Sequence, residues 1–286
     1  MITDLSISPS LLALMGLIFG AIVGSFLNVV ILRLPRIMNN QWTSDAREWL
    51  DLESQPKQAF NLAIPASHCP HCGTPIKPLH NIPILSYLFL RGRCAYCDTP
   101  ISLQYPIIEI VTAILMAYLL VLHGLSAIAL SSIIFTCSLL VLAVIDQRHK
   151  LLPDQITLPL LWLGLLVNLD SLYTTTHSAV IGAVVGYLSL WVVYWLFKLA
   201  TGKEGMGYGD FKLVAAIGAW LGWKIVPLII FLSSSVAAVV GVCAILFAGR
   251  EKDLPLAFGP YLCISGWIAL QWGDSIIAWY FSFFTI

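Results

Sequence analysis

Apolar residues fall in long unbroken runs along this chain, separated by short polar stretches, and helices of about 20 such residues cross a bilayer. On that basis the pattern predicts spans near 11–32, 104–122, 127–145, 155–169, 178–197, 211–225, 226–248 and 257–280. The fourth and sixth are short, and only Gly222, Trp223 and Lys224 mark the boundary between the sixth and seventh. Eight spans is the expectation, with seven as the competing count. The first run, Leu11 to Leu32, reads as a retained helix rather than a signal peptide. Asp4 is the only charge before it, and no small-residue cleavage site follows. The 71 residues from Arg33 to Leu103 form the one substantial soluble stretch.

Composition agrees with the pattern. The 286 residues are 59% hydrophobic and 10% charged, with a mean hydropathy of +0.87. A soluble domain carries about 25% charged residues, so the fold class is all-α polytopic membrane protein. Net charge is zero, which gives no basic surface for nucleic acid. With the N-terminus outside, 14 of the 15 Lys and Arg residues fall on one side, and only Lys224 lies opposite. Seven of them lie between 33 and 103. The others are Arg148, Lys150, Lys198, Lys203, Lys212, Arg250 and Lys252. The positive-inside rule makes that side cytoplasmic.

Two carboxylates interrupt this apolar background at the ends of runs: Asp146 in AVIDQRHKLLPD and Asp210 in GMGYGDFKL. An ionisable group at a membrane boundary is costly and usually functional. The predicted topology puts both at the cytoplasmic face, level in depth although 64 positions apart in sequence. Two carboxylates brought together can share one proton and activate water against a peptide bond. The glycines at 205, 207 and 209 allow sharp turns and close backbone approach. Lys212, two residues on, is expected to snorkel toward lipid phosphate in preference to tuning the carboxylate.

The soluble stretch holds Cys69-Pro-His-Cys72 and Cys94-Ala-Tyr-Cys97, with 21 residues between the pairs. Paired CxxC knuckles resemble a zinc ribbon, in which four thiolates close a tetrahedral structural site. Reduced cytoplasmic thiols are available to metal, and so small a domain would draw much of its folding energy from it. Pro70, Gly73, Gly92 and Arg93 suit tight knuckle turns, while His68 and His71 read as neighbours of the site rather than ligands. Cys137, Cys243 and Cys263 read as small buried hydrophobes. Ser25 and Asn28 should bond to neighbouring helices. Glu109 has an interfacial pairing with Lys or Arg and a functional role as open alternatives, and Asp154 suits a helix N-cap. Aromatic residues in 187–197 and 272–284 read as interface anchors.

The order GSFLNVVILRLP, CPHC, CAYC, DQRHKLLPD, GMGYGDFKLVAAIGAWLG and FGPYL resembles the bacterial type IV prepilin peptidases, which are bifunctional leader peptidase/N-methyltransferases of the GxGD aspartyl protease type. The resemblance runs from about residue 16 to residue 262. It implies that Asp146 and Asp210 are the catalytic pair and that Cys69, Cys72, Cys94 and Cys97 bind structural zinc. It further implies leader cleavage of type IV prepilins and type II secretion pseudopilins at the cytoplasmic face of the bacterial inner membrane. Methylation of the new N-terminus by S-adenosylmethionine would follow, and that second activity rests on the resemblance alone, with no donor-binding residue assigned. The expected organisation is a first transmembrane helix at 11–32, a cytoplasmic zinc-binding loop domain at 33–103 and a transmembrane aspartyl peptidase domain at 104–280. Two other classes compete: a proton-coupled transporter using the same aspartates, and a non-enzymatic zinc-ribbon scaffold in the membrane.

Overall fold

The computed structural model describes residues 8–52, 60–248 and 257–283. Asp4, Lys57, Arg250, Lys252 and Phe284, which entered the topology and anchor arguments, lie outside those ranges. Among the described residues the chain is helical and has no strand. Its helices are α1 (Pro9–Trp49), α2 (Leu85–Phe89), α3 (Gln104–His123), α4 (Ala127–His149), α5 (Asp154–Val167), α6 (Thr176–Thr201), α7 (Tyr208–Leu221), α8 (Val226–Ala248) and α9 (Gly259–Ser282). Each apolar run is therefore a helix, and α1, α3, α4, α6 and the Trp223–Phe247 stretch are long and apolar enough to cross a membrane. By contrast α5 and α7 have 14 residues each, about 21 Å at 1.5 Å per residue. The Trp223–Ile225 turn separates α7 from α8, so the sixth and seventh runs are distinct helices. The chain divides into two compact units, 1–137 and 138–286, with the boundary inside α4.

In the first unit α1 and α3 pack antiparallel through a stripe of small residues. A Cβ built on Gly20 would meet the Ala113 Cα at 2.5 Å, and one on Gly24 would meet the Glu109 Cα at 2.7 Å. Gly16 approaches Ala117 even more closely. The paired numbers keep a constant sum, so the register holds for four turns and ends where Asn28 Nδ2 donates to the Tyr105 carbonyl at 3.1 Å. Apolar side chains gain little by leaving lipid for each other, so close backbone contact and buried polar bonds must supply the association.

Helix α1 does not stop at Leu32. It continues through Pro35 to Trp49. On this extension Arg33 donates to the carbonyls of Asn61, Leu62 and Pro65 at 3.1, 3.1 and 2.7 Å and lies over the Phe60 ring. Among the described residues Glu109 pairs with neither Lys nor Arg. Its buried carboxylate accepts from the Ile84 amide at 2.7 Å and bonds to Ser25. It tethers the loop before α2 to the α1–α3 pair.

The second unit is built around α7, on which Asp210, Phe211 and every residue from Leu213 to Trp220 are buried. A helix apolar on all sides must be enclosed by protein or lipid, and here other helices enclose it. Gly182 of α6 and Gly218 of α7 meet backbone to backbone, and a Cβ on Gly186 would lie 2.6 Å from the Val214 carbonyl oxygen. From the α5 side, Trp220 Nε1 donates to the Leu160 carbonyl at 2.8 Å, against Gly164. Asn168 closes the far end. Its Nδ2 donates to the Ala219 and Trp220 carbonyls, and its Oδ1 accepts from the Tyr173 and Thr174 amides. Of the three cysteines expected to be small buried hydrophobes, Cys263 is buried, Cys137 half-buried and Cys243 exposed on α8.

Replacing Gly20 by leucine should force α1 off α3 and destabilise the first unit by about 1–3 kcal/mol, the usual cost of overpacking. Gly241→Leu is the control, because nothing lies within 4 Å of its added Cβ. Thermal unfolding in detergent should separate the two variants.

Candidate active site and metal centre

Asp146 and Asp210 come together. Asp146 sits three residues before the end of α4 and Asp210 in the first turn of α7, and they are 6% and 7% exposed. Asp146 is close enough to act electrostatically on Asp210, and both act on the buried Cys263 of α9. Asp146 Oδ2 accepts the Gly259 amide at the start of α9, at 3.0 Å. The Asp210 side chain is met by the amide of Gly207 in its own turn. Three helices thus converge on one buried acidic pair, and two carboxylates so placed are chemically able to share one proton.

None of Gly205, Gly207 and Gly209 has a positive φ, and Gly205 and Gly209 serve close approach, whereas a Cβ on Gly207 would meet nothing nearer than 4.0 Å. A Cβ on Gly209 would meet Leu152 at 2.8 Å, and one on Gly205 would meet the Phe197 ring at 2.9 Å. The left-handed turn is made one step earlier by Gly202, φ 72°, which ends α6. Around this loop the rings of Tyr194, Tyr208 and Phe211 stack against one another. Lys198 Nζ donates to Tyr194 Oη at 3.2 Å and to Glu204 at 2.8 Å. That ammonium holds the exposed Glu204 carboxyl below the usual carboxylate range. Lys198 and Glu204 flank Gly202, and that spacing was the available sign that they tie the loop to α6.

Lys212 does not snorkel. Its Nζ lies 2.8 and 2.7 Å from the two Asp154 oxygens. The N-cap of α5 is Pro153, so Asp154 acts as a partner for Lys212 rather than as a cap. This pair joins the first turns of α5 and α7 two residues from Asp210.

In the first unit the Sγ atoms of Cys69, Cys72, Cys94 and Cys97 all lie within 4.8 Å of one another. Those of Cys69 and Cys97 are 3.8 Å apart. A tetrahedron with metal–sulfur bonds of about 2.3 Å has edges of about 3.8 Å, so the donor set fits such an ion. His68 points away, with Nδ1 on the Ala66 carbonyl. The two knuckles are copies of one another at an offset of 25 positions. Cys69 N donates to Thr74 O and Cys94 N to Thr99 O, while Ile76 N donates to Ser67 O and Ile101 N to Gly92 O. Bridges His68–Pro75 and Arg93–Pro100 repeat the same step. The repeat was visible in the sequence as CPHCGTP and CAYCDTP. In each copy a threonine hydroxyl lies 3.3 Å from the second sulfur, and Thr74 brings the Cys72 thiol down to about 6, ready to ligate as thiolate.

Comparison with known proteins finds two family models that match successive parts of the chain. Residues 18–123 match the family model described as the bacterial peptidase A24 N-terminal domain, and residues 133–242 match that of the type IV leader peptidase family. A prepilin leader peptidase/N-methyltransferase of Pseudomonas aeruginosa is 51% identical over 276 residues, covering 96% of this chain and 95% of its own. One from Stutzerimonas stutzeri is 51% identical, covering 98% of this chain and 97% of its own. The Neisseria gonorrhoeae protein of that name is 46% identical, covering 96% and 95%. No solved structure matches the chain. With both domain models matched in order and relatives half identical from end to end, the chain belongs to the type IV leader peptidase family.

Proposed function

We propose that the chain cleaves the leader from type IV prepilins and type II secretion pseudopilins and then methylates the new N-terminal amine, with Asp146 and Asp210 as the catalytic residues of the first step. The observation that carries this reading is the buried carboxylate pair on α4 and α7, met by an amide of α9, in a chain so similar to prepilin leader peptidase/N-methyltransferases. Hydrolysis by such a pair needs one ionised carboxylate to take a proton from water and one protonated carboxylate to hydrogen-bond the scissile carbonyl. The apolar helix of the substrate lies in the bilayer and presents its leader junction at the cytoplasmic face of the bacterial inner membrane. A transporter would leave the match to the leader peptidase family without a reason, and a scaffold would leave the acidic pair without one.

In this reading the chain has three parts: a first transmembrane helix at 11–32, a cytoplasmic metal-binding loop domain at 33–103 and a transmembrane peptidase domain at 104–280. Cys69, Cys72, Cys94 and Cys97 hold one zinc ion, whose four thiolate bonds leave no open position and make its role structural. Methyl transfer uses S-adenosylmethionine, a sulfonium donor acting on a neutral amine, so it depends on positioning more than on an acid-base pair.

Asp146→Asn and Asp210→Asn should each reduce leader cleavage by at least about 10³-fold, within the range lost when a catalytic acid-base group is removed, with membrane insertion unchanged. Cleavage of a prepilin by purified variants measures this, and full activity in either one rules out the two-aspartate mechanism.

Metal analysis of protein purified without chelator should give about one zinc per chain. Cys72→Ser should lower that content and destabilise the first unit before it affects hydrolysis.

The doubly substituted Asp146→Ala/Asp210→Ala protein should still methylate pilin supplied without its leader. Incorporation of labelled methyl near the wild-type level separates the two sites, and loss of label in a folded, inserted protein merges them.

A further inference from the structure

We infer that the ion pair between Asp154 and Lys212 positions the reacting groups: it holds the first turn of α7, and Asp210 with it, against the end of α4 that carries Asp146. This inference rests on the two-aspartate reading above.

The segment that follows Asp146 reaches the first turn of α7 at two places, one on each side of Asp210 in sequence. Helix α4 is closed by Lys150 N, which donates to the Asp146 carbonyl at 2.8 Å, and Lys150 itself has a φ of 53°. Leu152 then packs on Gly209, where an added Cβ would stand 2.8 Å from the leucine Cβ. Two residues later Asp154 opens α5, and Lys212 Nζ donates to both its oxygens at 2.8 and 2.7 Å. The chain that leaves Asp146 thus grips α7 just before Asp210, at Gly209, and just after it, at Lys212. Side chains two positions apart on a helix do not face each other, so Lys212 acts on the helix rather than on the Asp210 carboxylate. The far end of the α5–α7 contact is fixed separately, where Trp220 Nε1 donates to the Leu160 carbonyl and Asn168 Nδ2 to those of Ala219 and Trp220.

The ion pair is placed for alignment rather than for strength. The Lys212 and Asp154 side chains are 30% and 49% exposed, and exposed pairs add little to stability. An ammonium that meets both oxygens of one carboxylate nevertheless fixes the spacing of the two helices that carry them. Reacting groups tolerate a misplacement of about 0.5 Å, and an error of about 1 Å can cost about 10²-fold in rate. On the other side of Asp210 in sequence, Lys198 pairs with Glu204 and ties the loop before α7 to α6. Each end of the segment 204–212, which contains Asp210, is therefore held by an ion pair to a neighbouring helix.

Asp154→Asn, Lys212→Met and the double variant test the inference, by steady-state kinetics of prepilin cleavage and thermal unfolding of the purified full-length protein in detergent. Each single change should lower kcat about tenfold and leave KM within about twofold of wild type. Tm should fall by no more than about 4 °C. The double variant should lose no more than the worse single one, because both changes remove the same contact. Lys212→Arg, which still offers donors to Asp154, should keep most of the wild-type kcat. A rise in KM with kcat unchanged would make the pair a substrate contact, and losses that multiply in the double variant would give the two residues separate roles. Unchanged kcat would deny the pair a part in the reaction. A collapse of Tm in step with kcat, or a loss in Lys212→Arg as large as in Lys212→Met, would leave no positioning role. Each of these four results overturns the inference. Full cleavage by Asp146→Asn or Asp210→Asn would instead defeat the two-aspartate reading, whatever the ion-pair variants do.

Discussion

Two carboxylates held under a tenth exposed, inside a bundle of apolar helices, are the constraint around which the second unit is organised. An unpaired buried carboxylate costs several kcal/mol to ionise, and two of them repel. The surrounding architecture offsets part of that cost with backbone: an amide of α9 meets Asp146 and an amide of the α7 cap meets Asp210. Lys150, four residues beyond Asp146, is the cation that acts on it, while Lys212 is paired with Asp154 and Lys198 with Glu204. A lysine paired directly with either aspartate would hold it as an anion.

Backbone contact of that kind requires helices that touch without intervening side chains. Gly182, Gly186 and Gly218 bring α6 and α7 together, and Gly209 and Gly259 let the reactive turns approach Leu152 and Asp146. The first unit obeys the same rule in the Gly16, Gly20 and Gly24 stripe. Hydrophobicity puts these helices in the bilayer, and the small residues decide which helix lies against which.

Much of this was legible in the sequence. Apolar runs gave the helices, since period and length suffice for segments of that kind. The aspartates were conspicuous because charge is so rare here, and the paired CxxC spacing announced a cluster of four cysteines able to hold a metal ion. Partnerships were harder to read. Nothing in the spacing of Lys212 and Asp154, 58 positions apart, declares that they meet, and Glu109 turned to a backbone amide that carries no sequence signature. The continuation of α1 past Arg33 was hidden by its change from apolar to polar composition, because a helix leaving a membrane keeps its hydrogen bonds but changes its solvent. Gly259 was hidden for a different reason. Its contribution is the absence of a side chain, and a reading that searches for reactive groups passes over it.

Helix α5 is only about 21 Å long, yet it turns Leu158, Trp162 and Leu166 outward, at intervals of four residues. A lipid-facing wall of that height falls about 9 Å short of a hydrocarbon layer of about 30 Å. The bilayer meets such a mismatch by thinning against the short wall, at a fraction of a kcal/mol per ångström. A bilayer thinned in this way would bring headgroups toward α5, whose first turn is clamped through Asp154 to Lys212 of α7. The thickness of the surrounding membrane would then bear on the packing of the helix that carries Asp210.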